Sequence, residues 1–383
     1  MKKYFLLVVI ATFFLTSCNF KPTVLPVKKD RQLVSYVNPF IGTGGHGHTY
    51  PGATMPFGMM QLSPDTRLDG WDGCSGYHYS DDEIYGFSHT HLSGTGVSDY
   101  GDILLMPTTK VVFNNGADKK EGYKSKFSHD KEIAEPGFYK VFLEDPKVDV
   151  ELTVSERSGI HKYEYSEGSK QIIIVDLEHR DEVLDSKVTL NSKTAISGYR
   201  HSKAWATDQR LFFDMQFSKP YTKVTFLDDK KEGKKVKAAF EFDHTTGNTV
   251  EVRVGISPVD EEGAIHNWQL EIGTKPFDQV KKEAQAKWES QLEKIVIESD
   301  NFDYKTNFYT SMYHTMIAPN IYQDIDGRYR GMDLEIHQSD KHNHYTVFSL
   351  WDTYRAAHPL YTIIEQERTN DFIRTFIKKY ENG

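Results

Sequence analysis

The residues best suited to chemistry crowd into one stretch. Asn38-Pro39-Phe40-Ile41-Gly42-Thr43-Gly44-Gly45-His46-Gly47-His48 runs on through Tyr50-Pro51-Gly52-Ala53 to Phe57-Gly58. Gly70-Trp71-Asp72-Gly73-Cys74-Ser75-Gly76-Tyr77 follows, then Gly86-Phe87-Ser88-His89-Thr90-His91-Leu92-Ser93-Gly94, with Asp99 and Asp102 just beyond. Thirteen of the 27 glycines lie between Gly42 and Gly101, which marks a loop-built surface rather than a strand core.

Three chemistries compete for this text. A phosphate cradle needs its glycines to lead into a helix with Lys-Ser/Thr, but here they lead into Pro51 and Pro56 and no Lys follows. The pairs His46/His48 and His89/His91 have zinc-ligand spacing, yet histidines in Gly/Thr/Ser loops more often serve as plain hydrogen-bonding groups. A sugar site suits the composition best. Trp71, Tyr77 and Phe87 offer ring faces for a pyranose, and Asp72 and Asp99 offer acceptors for hydroxyls. A packed loop cluster without a ligand would read much the same. A second constellation is Ser349-Leu350-Trp351-Asp352-Thr353-Tyr354-Arg355. On one helix Asp352 and Arg355 are i, i+3 neighbours able to pair beside a core Trp351, or to present a carboxylate to a ligand.

Two textures must position these residues. From 33 to 272 the chain is strand-like, with Leu152–Val154, Ile160–Tyr165, Gln171–Val175, Leu211–Phe217 and Val250–Ile256 separated by turn signals such as Asn114-Asn115-Gly116. Many short strands without interleaved helices predict an antiparallel β-sandwich. From about 275 the period changes, as Phe277, Val280, Ala284, Trp288, Leu292 and Ile295 recur at three- and four-residue spacing behind Thr274 and Pro276. Further helices are predicted near Tyr304–Met316, Leu350–Ile364 and Asn370–Tyr380. The segments are thus a β-sandwich (33–272), a helical linker (273–300) and an all-helical part (301–383) whose apolar faces lack a partner in the remaining sequence, which predicts a truncated domain.

The N-terminus predicts export. Lys2 and Lys3 precede an apolar stretch, Tyr4–Leu15, too short to span a bilayer, and Leu15-Thr16-Ser17-Cys18 ends a lipoprotein signal peptide (1–17). Cys18 is the expected lipidation site, holding the protein to a membrane of the bacterial envelope, with residues 18–32 as a tether. The formal charge is −9, and removal of Lys2 and Lys3 takes it to −11, which disfavours nucleic acid as a partner. With Cys18 lipidated only Cys74 remains, so no intrachain disulfide forms.

Val37-Asn38-Pro39-Phe40-Ile41-Gly42-Thr43, Tyr50-Pro51-Gly52-Ala53 to Phe57-Gly58, Gly76-Tyr77, Phe87-Ser88-His89-Thr90-His91-Leu92-Ser93-Gly94 and Ser349–Arg355 together closely resemble glycoside hydrolase family 92, in order and over nearly all of the mature chain. The resemblance implies an exo-acting, calcium-dependent, inverting α-mannosidase, α-1,2-linkages foremost, acting on N-glycans or mannan. It implies an N-terminal β-sandwich, a helical linker and a C-terminal (α/α)6 barrel, of which this chain holds the first helices. By resemblance Trp71 lines the leaving-sugar subsite, Asp352 binds hydroxyls of the terminal mannose, and the Gly44-Gly45-His46 loop approaches the same pocket. The family's general acid, general base and most calcium ligands match positions beyond Gly383, so no catalytic residue is assigned, and Glu335, Glu365 and Glu367 are not substitutes. The alternatives are a non-catalytic carbohydrate-binding lipoprotein and a metal hydrolase on the paired histidines, the latter predicting stoichiometric zinc.

Overall fold

The computed structural model describes residues 32–339 and 341–383. The leader, Cys18 and the tether as far as residue 31 lie outside the described residues. Two antiparallel sheets dominate. One has seven strands in the spatial order Ala53–Thr54, Gln61–Asp65, Gly86–Ser88, Leu104–Thr108, Gln171–Asp176, Lys237–Phe242 and Tyr221–Phe226. The other has eight, in the order Glu182–Leu190, Ala195–Lys203, Gln209–Phe217, Thr249–Ser257, Ser158–Tyr165, Val148–Val154, Phe138–Leu143 and Glu132–Glu135. All five strand segments expected from the sequence lie in these sheets.

Residue pattern explains each strand's place. Gln171–Asp176 is buried at every position and sits inside its sheet, between Leu104–Thr108 and Lys237–Phe242, as an unbroken Ile-Ile-Ile-Val run requires. Val148–Val154 and Thr249–Ser257 begin with alternating burial, one face inward. The inner faces meet: Phe217 of the eight-stranded sheet packs on Phe240 and Phe242 of the seven-stranded one at ring separations of 5.4 and 5.2 Å.

Among the described residues six α-helices follow: α1 (Glu261–Glu271), α2 (Phe277–Leu292), α3 (Phe302–Thr315), α4 (Leu350–Thr353), α5 (Ala357–Ile364) and α6 (Gln366–Glu381). The α2 stripe Phe277, Val280, Ala284, Trp288 and Leu292 is buried as its spacing predicts. Fully buried Trp288 donates its indole N–H to the Thr54 carbonyl at 2.7 Å, fixing the helix to the edge strand of the seven-stranded sheet. Gly137 permits the approach, since a Cβ there would lie 2.6 Å from that of Ala284. Among the described residues no helix is long and apolar enough to cross a membrane.

Three expectations need correction. Helix α1 occupies part of the stretch assigned to the β-sandwich (33–272), because the Asp260 carboxylate caps it by accepting the Gly263 N–H at 2.7 Å. The 301–383 part is not all-helical: Asn320–Ile321 pairs with Tyr345–Thr346, and Arg328–Arg330 with Ile336–Gln338. The helix expected over Leu350–Ile364 is two helices, broken at 354–356. In a continuous helix the Pro359 ring would strike the Arg355 carbonyl, four residues earlier.

Candidate functional site

The Gly44–His48 loop is closed on itself and tied to its neighbour. Gly47 lies so near the Gly42 carbonyl that a Cβ on it would come within 1.8 Å of the oxygen, and Gly42 itself has φ +89°. The Tyr79 N–H reaches Thr43 O at 3.0 Å. His78 Nε2 donates to Gly45 O at 3.1 Å, which leaves its Nδ1 to accept from Ser80 Oγ at 2.8 Å.

Opposite stands the short 3-10 turn Trp71–Gly73. His46 Nδ1 lies 2.6 Å from Asp72 Oδ1, and His48 Nε2 lies 3.5 Å from the same oxygen. The hydrogen bond from His46 holds the Asp72 carboxyl below the usual carboxylate range. Trp71 is 62% exposed, with the His48 ring edge-on to it at 4.8 Å and Gly96 against the ring, where a Cβ would come within 2.2 Å. An open indole face beside a His-Asp pair can stack on an apolar sugar face and bond its hydroxyls. Gly44, Gly45, His46, Trp71 and Asp72 are therefore brought together.

His89 and His91 are not part of this surface. Both are buried. His89 donates Nδ1–H to the Ile103 carbonyl, so its Nε2 accepts from His161 Nε2–H at 3.0 Å across the sandwich, and His161 Nδ1 accepts from the Tyr163 hydroxyl at 2.8 Å. His91 Nδ1 faces Gln61 O at 3.0 Å and its Nε2 faces Ser88 Oγ at 3.1 Å. Asp99, expected to take sugar hydroxyls, instead accepts the Trp205 and Ala206 backbone N–H groups at 2.8 and 3.1 Å.

The Ser349–Arg355 segment departs from its expected pairing. Asp352 accepts from Ser349 Oγ, while Arg355 Nε donates to the Tyr354 hydroxyl at 2.8 Å. The two do not pair because α4 stops at Thr353, and Trp351 is 87% exposed rather than in the core. Among the described residues no hydrogen bond, ion pair or ring contact joins Asp352 or Arg355 to the Gly44–Asp72 group.

One supporting pair escaped the sequence reading. Arg200, fully buried, pairs with buried Asp102 and also donates to His179 O at 2.6 Å. Asp102 accepts from Thr90 Oγ1 at 2.7 Å, so this pair anchors the base of the 89–102 loop. A signal existed: Arg200 shares strand parity with buried Gly198 and Ser202, which turns it inward.

Comparison with known proteins agrees with this architecture. The glycosyl hydrolase family 92 N-terminal domain matches residues 36–257, and the family's catalytic domain matches residues 263–383. The fold resembles that of a family GH92 α-mannosidase from Bacteroides thetaiotaomicron, whose structure is also known in complex with mannoimidazole; the match has TM-score 0.88 and 37% identity, covering 92% of this chain and 50% of that one. A family GH92 inverting mannosidase from B. thetaiotaomicron VPI-5482 shares the fold at TM-score 0.82, with 24% identity over 93% of this chain and 49% of that one. An uncharacterized secreted glycosidase of Arthroderma benhamiae is 25% identical over 84% of this chain and 45% of its own length. The chain spans about half the length of these relatives. It belongs to glycosyl hydrolase family 92.

Proposed function

We propose that this chain supplies the sugar-facing β-domain of an exo-acting α-mannosidase that releases mannose from N-glycans or mannan. The observation that carries the reading is the 37% identity and TM-score of 0.88 to a GH92 α-mannosidase with a known mannoimidazole complex. In this reading Trp71 stacks on the leaving sugar, the Gly44-Gly45-His46 loop and Asp72 border it, and Asp352 with Arg355 binds the terminal mannose. Hydrolysis proceeds with inversion, an acid protonating the leaving oxygen while a base about 6.5–9.5 Å away activates water on the opposite face. No residue of this chain is assigned either role. Glu365 is buried and its carboxylate is paired with Lys294 and with Arg368 Nε at 3.2 Å, which argues against either role for it.

Calcium belongs to the same reading. When bound it would contact the mannose hydroxyls, as suits a hard cation with oxygen ligands. Among the described residues the one cluster of three or more His, Cys, Asp or Glu ligand atoms is His46, His48 and Asp72. Its two nitrogens do not suit calcium. The reading also includes a lipid anchor on Cys18 and placement at the bacterial envelope. Metabolic labelling with a radioactive fatty acid should mark the wild type and not Cys18→Ser.

The test is turnover of α-1,2-mannobiose with calcium, beside calorimetric titration of mannose disaccharides. Release of α-mannose would count against inversion, because α-linked substrate must yield β-mannose first. Affinity that falls in Trp71→Ala, without turnover, favours a non-catalytic carbohydrate-binding lipoprotein. Absence of both affinity and turnover removes the sugar reading of this chain.

A further inference from the structure

We infer that His46, His48 and Asp72 form a transition-metal site, for zinc or a similar borderline cation, clamping the Gly44–His48 loop to the Trp71–Gly73 turn. The ligand atoms of all three residues lie within 4.8 Å of one another although they come from segments 26 residues apart in sequence. Two ligands held about 2.1 Å from a tetrahedral ion sit about 3.4 Å apart. The His48 Nε2 to Asp72 Oδ1 separation of 3.5 Å already meets that spacing, and the 2.6 Å between His46 Nδ1 and the same oxygen opens when the ion replaces the shared proton.

The second observation is His48 itself. Its side chain is only 7% exposed, and its Nε2 is buried without a hydrogen-bond partner while directed at Asp72. A buried ring nitrogen left unpaired costs free energy that a metal bond would recover. The backbone holds that ring in place from the left-handed region, at φ +52°, a region that histidine enters more readily than most side chains. His46, by contrast, is 80% exposed at its side chain, which provides an entry path and leaves the fourth coordination position to water. Two imidazoles and one carboxylate favour zinc, nickel, cobalt or copper over calcium and magnesium. Binding at His46 Nδ1 shifts the ring's one proton, by way of solvent, to its exposed Nε2, so the ring binds as neutral imidazole and no oxidation state changes. The site does not depend on the mannosidase reading, since its readout is the metal alone.

The experiment is competition between the full chain, stripped with chelator, and a chromophoric zinc chelator, with Co2+ as a spectroscopic probe. One equivalent of zinc should bind, and excess calcium should not displace it. His46→Ala and Asp72→Asn should each weaken binding by more than the roughly 10–100-fold that loss of an outer partner costs. Both should also abolish the visible cobalt bands. His46 is exposed enough for its alanine variant to keep the wild-type circular dichroism, so a loss there reports on the ligand and not on folding. Absence of stoichiometric zinc, or unchanged affinity in both variants, as when the ion sits on a thiol, would overturn the assignment.

Discussion

His46-Gly47-His48 and His89-Thr90-His91 have the same spacing and opposite fates. The second pair sits just past the strand Gly86–Ser88, inside the sandwich, where each ring nitrogen faces a polar atom of the interior. The first sits in a turn shaped by Gly42, Gly45 and Gly47, where both rings converge on one carboxylate at the surface. Spacing alone specifies neither outcome. Partners recruited from elsewhere decide: His161 for the interior pair, Asp72 for the loop pair. Mutations at the interior pair and its supports should therefore change stability, and mutation of the exposed His46 of the loop pair should change binding.

The largest effect is expected beneath the buried pair. Asp102→Ala leaves the fully buried Arg200 guanidinium without its counter-charge and frees Thr90. Breaking such a pair costs about 3–5 kcal/mol. Urea unfolding should show the midpoint falling with little change in slope. A loss below 1 kcal/mol would mean that water reaches Arg200 and that this region is no more interior than the Trp71 surface.

His89→Leu comes next. It deprives His161 Nε2–H of its acceptor and Ile103 O of its donor, with an expected cost of about 2–3 kcal/mol. Its pH dependence sharpens the contrast. Burial pushes His89 down to about 4, opposed by its hydrogen bond to the Ile103 carbonyl and aided by a smaller effect of His91, and pushes His161 well below its ordinary value. Because the folded state disfavours the proton, the neutral rings stabilise the fold fully above the unfolded value near 6.5. That contribution is lost as pH falls from there towards 4 and then levels off. The stability gap between wild type and His89→Leu should therefore narrow between pH 7 and 4. A gap that widened on acidification would show that the buried ring is held charged.

The sequence carried the long-period features of this molecule and little of the short-range geometry. The α2 stripe from Phe277 to Leu292 and the Gln171–Val175 run were legible because one element's own residues determine them. The α4–α5 break was readable only through Pro359, and that break also separates Asp352 from Arg355. Helix α1 was hidden because its apolar stripe is weak, with only Gly263, Ala264 and Asn267 buried. The Gly44–Asp72 grouping was visible as composition and, through resemblance, as a pocket. The meeting of His46 and His48 at Asp72 was not, because it depends on backbone angles at Gly45 and His48 that no pattern encodes.

On the exposed side, Trp71→Ala should leave stability within about 0.5 kcal/mol, as surface positions do. It should weaken a mannose disaccharide by roughly tenfold, about 1.4 kcal/mol, through loss of ring stacking. Calorimetry reads the second quantity and urea unfolding the first. A variant that lost stability but kept its affinity would place Trp71 with the buried region.

The smallest expected effect is the most discriminating. His46→Ala, measured with chelator present, should change stability by less than about 0.5 kcal/mol, because the exposed bond to Asp72 exchanges for one to water. The same type of change at His89, a histidine of identical spacing, is expected to cost several times more. The ratio of the two losses measures how far surroundings override spacing. Near-equal losses would mean that the Gly44–His48 loop is held to the body of the protein by His46 itself. The backbone anchors argue otherwise: His78 holds Gly45 O, Tyr79 N–H holds Thr43 O, and both remain when the His46 side chain is gone.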